Sequence, residues 1–209
     1  MRRIRIIANT SLDGVVQAPG GPDEDRDGGF AHGGWAMPHF APAMAEAIAA
    51  AQGDRFDLLL GRRTYDTFAA FWPGVEDDPI ADGLNGATKH VATHRPESLE
   101  WGPAEALGAN IAARVRDLKA QDGPDLIVWG STTLTPVLFE AGLVDELLLF
   151  VFPILLGGGK RLFSDRTTPQ ELTLTESRSA PTGVLINAYR ASGALQPDRP
   201  DPYSKETSQ

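Results

Sequence analysis

No cysteine occurs anywhere in the chain, which removes disulfides, thiolate nucleophiles and cysteine-bound metals from consideration. Nor is there a run of about 18 apolar residues, so no membrane-spanning helix is expected. Positive charge is scarce: 19 Lys and Arg stand against 28 Asp and Glu, a formal net charge of −9. That balance excludes a general nucleic-acid binder, which needs clustered cations to displace counterions. It leaves room for a small anion, because a local cationic pocket can sit on an acidic surface. The opening MRRIRIIANTSLDG has too short an apolar stretch for a secretory leader, and a cytoplasmic protein is the expectation.

What is present fits one well-buried domain. Apolar runs read as strands at 4–8 (IRIIA), 56–60 (FDLLL), 89–93 (KHVAT), 125–130 (DLIVWG) and 147–152. Between them, Phe40, Met44, Ile48 and Ala51 recur at helical spacing, with Gly53 as a C-terminal cap. Ile111, Val115 and Leu118 mark a second helix, and STTLTPVLFEAG (131–142) a third. Two final strands, ELTLTES (171–177) and VLINAYRA (184–191), follow one another directly. This order predicts an α/β fold: a mainly parallel central sheet flanked by helices, finished by a C-terminal antiparallel hairpin. Residues 1–193 form the domain, and 194–209, polar and proline-rich, read as a disordered tail. The segment 18–35 (APGGPDEDRDGGFAHGGW) is a long irregular loop, of the kind that serves as a lid or binding loop or is disordered.

In open α/β sheets ligands collect beyond the carboxyl ends of the strands. Three such junctions are chemically unusual. At Gly61-Arg62-Arg63-Thr64 a glycine permits close approach, a helix N-terminus favours an anion, and arginine and threonine supply donors. At Thr93-His94-Arg95 a hydroxyl, an imidazole and a guanidinium meet at a strand end. At Gly130-Ser131-Thr132-Thr133 small residues let the backbone approach a diphosphate before another helix. Each has a bland reading as solvated surface, N-cap or polar turn, and neither standard phosphate-loop pattern is present. Three in succession point to a ligand with several phosphates, such as a dinucleotide.

These residues resemble a known family. GRRTYDTF looks like the glycine-arginine-x-threonine-aromatic signature of dihydrofolate reductase. IVWGSTTLTPVLFEAGLVDELLLFVFPILLGGGKRLF is similar to the distal half of the reductase domain of bifunctional riboflavin-synthesis deaminase-reductases, and SLDG is typical of that domain. The resemblance runs from about residue 3 to 192 and implies a dihydrofolate reductase-like superfamily member with NADPH as hydride donor. By it, Gly61, Arg62, Arg63 and Thr64 hold the diphosphate and the adenosine 2′-phosphate side. Thr93, His94 and Arg95 match the turn around that 2′-phosphate and the adenine. Gly130 and Ser131 match a glycine pair joined by a cis peptide, with serine in the second place. Thr132, Thr133 and Leu134 continue along the cofactor, and Ala8 and Val16 flank the nicotinamide.

The substrate side departs from both relatives. Ile7 stands where the riboflavin reductase domain usually carries lysine, and Glu46 lies too far into the first helix to match the carboxylate of dihydrofolate reductase. Asn9, Asp13, Trp35, His39 and Phe40 remain. Trp35 could stack on a heterocycle and His39 donate a proton, while Trp35 and Phe40 also read as core and Asp13 as a turn-former. The acidic run 23–27 reads as a solvated loop tip without EF-hand spacing, GGGK (157–160) as a structural turn, and no metal site is expected. The expected function is NADPH-dependent reduction of a small pterin- or pyrimidine-like substrate. The alternatives are the 5-amino-6-(5-phosphoribosylamino)uracil reductase of riboflavin synthesis and a catalytically silent NADPH-binding sensor. The apolar surplus of ELLLFVFPILL (146–156) points to a homodimer.

Overall fold

Strand β1 (Ile4–Ser11) lies inside the sheet and divides two cores by simple alternation. Ile4, Ile6 and Ala8 face one core, and Ile7 faces the other, all of them buried. In the computed structural model, which describes residues 1–163 and 167–195, chain order continues with α1 (Pro42–Gln52), β2 (Phe56–Gly61) and α2 (Arg62–Phe71). Then come α3 (Pro79–Gly86), β3 (Lys89–Ala92), β4 (Ala104–Ala106), α4 (Ile111–Ala120) and β5 (Asp125–Trp129). The chain closes with α5 (Leu134–Glu140), β6 (Glu146–Phe152), β7 (Gln170–Ser179) and β8 (Leu185–Ala194).

The described strands form one sheet in the order β4-β3-β2-β5-β1-β6-β8-β7. Every pairing from β4 to β6 is parallel, whereas β8 runs antiparallel to both β6 and β7. The α/β architecture with its closing hairpin is therefore as the sequence predicts. Because β1, β2, β3, β5 and β6 are parallel, their carboxyl ends share one edge of the sheet.

Three details differ from the sequence reading. Helix α1 starts at Pro42, where proline suits the first helical turn, so Phe40 falls outside it and is exposed. Helix α3 and the short strand β4 were not anticipated; Asp78 caps α3 by accepting from the N–H groups of Ile80 (2.7 Å) and Ala81 (3.2 Å). Within β6 the apolar run is largely buried, Leu147, Leu148, Phe150 and Phe152 among it, because the strand lies between β1 and β8. Beyond the strand, Leu155 of the same run is exposed. Residues 196–209, most of the expected tail, lie outside the described residues. Among the described residues no helix is long and apolar enough to cross a membrane, and no cluster of three or more His, Asp or Glu could hold a metal ion.

The end of the sheet opposite the carboxyl edge holds a buried charge cluster. Arg2, 5% exposed, donates to the Asp57 carboxylate and to the Pro124 carbonyl at 2.6 Å. His90 sits beside it with both ring nitrogens buried and unbonded, 3.6 Å from Asp57 and 3.7 Å from Glu105. Burial lowers the His90 pKa below the ordinary value; Asp57 and Glu105 oppose that effect and Arg2 reinforces it. Below about pH 6.5 the unfolded chain takes up a proton that native His90 resists, so stability falls with acidification through that window. Urea melts at pH 7.5 and 5.5 should show a loss that shrinks in His90→Gln; an equal loss in both proteins would refute the assignment.

Candidate functional site

The three junctions sit on neighbouring strand ends and touch one another. Gly61 closes β2 with an extended backbone (φ −71, ψ 154), so its glycine is not required by a turn. It is required by proximity: a methyl there would stand 2.6 Å from Ser131 Oγ. Ser131 follows β5, and its hydroxyl accepts from the Leu134 N–H at 3.2 Å. Gly130 and Ser131 both take positive φ (55 and 69), while the one cis peptide among the described residues is Gly102-Pro103. The Gly130-Ser131 peptide is therefore trans, which corrects the cis geometry implied by the resemblance. A Cβ at Gly130 would meet nothing within 4 Å, so space is open above this turn.

Arg62 ties the first junction to the second. Its guanidinium donates to the Asp66 carboxylate (2.7 Å), the Arg95 carbonyl (3.0 Å), the Thr93 hydroxyl (3.3 Å) and the Ser98 carbonyl (3.4 Å). Most of its donors are thus spent on the protein, and Arg62 acts as the clamp that holds the 93–98 turn against α2. His94 and Arg95 on that turn are exposed, and Arg95 makes only a loose 3.5 Å ion pair with Asp66. No side chain caps α2, so the N–H groups of its first turn, beside Thr64, are left for a ligand. Arg63 points the other way, to Asp25 and Asp27 of the long loop. Thr132 is half-buried, Thr133 exposed and Leu134 buried in the second core, so only the threonines face outward after the Gly130 turn.

On the substrate side the residues divide. Ala8 is buried in the second core and Val16 packs half-buried against it. Asn9, half-buried, lies opposite Phe150 in the β1–β6 register and makes no side-chain hydrogen bond among the described residues. Phe152 is fully buried, and Trp35 and His39 both meet it edge-on, with ring centroids 5.2 and 6.2 Å away. Trp35 is itself buried and donates its indole N–H to the Gln17 carbonyl at 2.8 Å, so it is a wall and not a free stacking platform. The hairpin turn reaches this edge too, because the Thr182 hydroxyl donates to the His39 carbonyl at 2.8 Å. Ile7 is fully buried in the same core cluster as Trp35 and Phe152 and brings an aliphatic side chain there instead of a lysine.

Asp13 ties the turn after β1 to the loop after β6. Its carboxylate accepts from the Ser11 hydroxyl (2.6 Å) and from the N–H groups of Leu156 (3.1 Å) and Gly157 (2.8 Å). Those bonds, the serine's foremost, pull its pKa down to about 2, and they anchor the loop after β6. Two features escaped the sequence reading. Trp129, the last residue of β5, has a buried indole N–H without an acceptor. The acidic run and the GGGK turn, read separately as solvated and structural, meet in space: Lys160 Nζ lies 2.8 Å from Asp25 and 2.8 Å from Asp27. Opposite charge was the only available clue, and nothing in the spacing connects them.

The fold, a mainly parallel sheet finished by one antiparallel hairpin, is dihydrofolate reductase-like. Residues 2–186 match the model of the RibD C-terminal domain, and the chain belongs to that family. The uncharacterized protein YyaP of Bacillus subtilis (strain 168) is 29% identical over 140 residues, which cover 65% of this chain and 74% of YyaP. A solved protein from Shewanella sp. PV-4, whose name refers to riboflavin biosynthesis, superposes with a TM-score of 0.67 at 22% identity, covering 90% of this chain and 98% of that one. Dihydrofolate reductase from Enterococcus faecalis, solved with NADP(H), gives 0.58 at 14% identity, covering 91% and 96%.

Proposed function

We propose that the protein is an NADPH-dependent reductase acting on a small heterocycle of the pyrimidine or pterin type. The observation that carries this reading is the contiguity of the three junctions: Gly61 lies against Ser131, and Arg62 reaches across to Thr93 and Arg95. The residues suit a phosphate-rich cofactor, since α2 is uncapped, the space above Gly130 is open and Arg95 is exposed. Thr64 and the first turn of α2 would hold the diphosphate, and His94 and Arg95 the 2′-phosphate. When bound, the nicotinamide supplies a hydride.

The chain's own residues do the rest. The wall of Trp35 and Phe152 excludes water from one side of the cleft. Asn9 has both a donor and an acceptor free to orient a ring that carries carbonyl and amino groups. A ring nitrogen of His39, which makes no hydrogen bond among the described residues, holds the proton that completes the reduction. Among pyrimidines, the riboflavin precursor is the reading closest to the family, although Ile7 offers it no lysine contact.

Calorimetric titration with NADPH and NADH tests the cofactor assignment. Wild type should bind NADPH more tightly, and Arg95→Ala should lose roughly tenfold in NADPH affinity with NADH unchanged, the scale of one charge-assisted hydrogen bond. If neither nucleotide binds the wild-type protein, the functional reading fails.

A further inference from the structure

Four charged side chains from three distant parts of the chain meet beside the first junction. Arg63 NH1 lies 2.7 Å from both Asp25 oxygens, and both of its terminal nitrogens lie 3.2 Å from Asp27 Oδ2. Lys160 Nζ contacts the same two carboxylates, each at 2.8 Å. Two anions thus face two cations, and one of the cations stands on the opening turn of α2.

The loop that carries the carboxylates is a built element. Gly34 N–H donates to the Ala18 carbonyl (2.8 Å) and Ala36 N–H to that of Pro19 (3.1 Å), closing the loop at its base. A Cβ at Gly33 would lie 2.5 Å from the Pro22 carbonyl oxygen, so the loop packs backbone against backbone. Glu24 accepts from the N–H groups of Gly20 and Gly21 at 2.6 and 3.1 Å. Gln17, buried, donates to the carbonyls of Asp25 (3.0 Å) and Asp27 (2.9 Å) and accepts the Lys160 N–H (3.0 Å). The two aspartates are therefore presented to Arg63 and Lys160 by a rigid body and not by chance contact.

We infer that loop 18–35 is an electrostatic latch, in which Asp25 and Asp27 compete with the phosphates of the bound nucleotide for Arg63 and Lys160 and so set the site's affinity. The inference rests on the cofactor reading above for the identity of the phosphate bearer. Burial pushes Asp25 up, yet hydrogen bonds from Lys160 and Arg63 hold its carboxyl at about 2, so the latch stays charged at neutral pH. Arg63 and Asp27 are half-exposed, with side-chain exposures of 55% and 56%. The Arg63–Asp27 pair is screened by salt and weak, the Asp25 contacts at 12% exposure are screened less, and a phosphate offers more charge and more acceptors to the same guanidinium.

Hydrogen exchange of residues 18–35 in the wild-type chain, with and without inorganic pyrophosphate, reads the latch without reference to turnover. Pyrophosphate should speed exchange in the loop, and 0.5 M NaCl should do the same. Asp25→Asn/Asp27→Asn, which removes both carboxylates from all four ion pairs, should bind pyrophosphate and NADPH at least about fivefold more tightly. Loop exchange unchanged by pyrophosphate, or affinity equal to or below wild type in the double variant with a native melt, would overturn the latch and leave a structural staple. The cofactor reading fails separately: if pyrophosphate opens the loop but NADPH does not bind, the latch stands and the nucleotide is wrong.

Discussion

Gly61→Ala should remove NADPH binding at concentrations that saturate the wild-type protein and lower stability by about 2 kcal/mol. The added methyl would lie 2.6 Å from Ser131 Oγ and 3.5 Å from Ser131 Cβ. The serine cannot simply rotate away, because its hydroxyl holds the Leu134 N–H and its backbone already sits at φ 69. Displacing it releases the start of α5 and pushes apart the two strand ends that form the cleft. Ser131→Gly in the same background should restore much of both losses, since it removes the clashing atoms and relaxes a positive φ. Urea melts and nucleotide titration on the two single variants and the double variant complete the cycle. Wild-type affinity in Gly61→Ala would show that the cofactor does not lie there.

Phe152→Ala carries the second large effect, a stability loss of about 3–5 kcal/mol. The ring is fully buried at the carboxyl end of β6 and supports both Trp35 and His39 edge-on. Removing it leaves a cavity under Trp35 and His39, so on the proposed function the loss should appear in chemical denaturation and in turnover together. Phe152→Leu separates the two. It should cost about 1.5 kcal/mol while still loosening His39, so turnover should fall further than stability alone explains. Equal stability in the alanine variant and wild type would mean that the wall is not packed as described.

Much of the fold was legible because its signals are local. Gly61 and Gly130 each interrupt an apolar run and Thr93 follows a short strand, and parallel topology then places all three on one edge. Helix α3 was equally local, with Asp78-Pro79 at its start, but its glycines and asparagine disguised a helix as a loop. Strand β4 has three residues and no period to read. The roles of the two arginines were beyond local reasoning. Adjacent in sequence, they diverge in space, Arg62 to a turn 31–36 residues away and Arg63 to a loop 36–38 residues before it. Lys160 lies 135 residues from Asp25, and only the assembled sheet brings them within reach.

The bond from the Thr182 hydroxyl to the His39 carbonyl gives the molecule a division of labour. The turn that holds it belongs to the β7–β8 hairpin, and three strands separate β8 from β2, which carries Gly61. A change of length or side chain in that turn can therefore reposition His39 while the strand end at Gly61 stays as it is. Divergence has a place to act in this scaffold, at the antiparallel end, without disturbing the parallel strand ends.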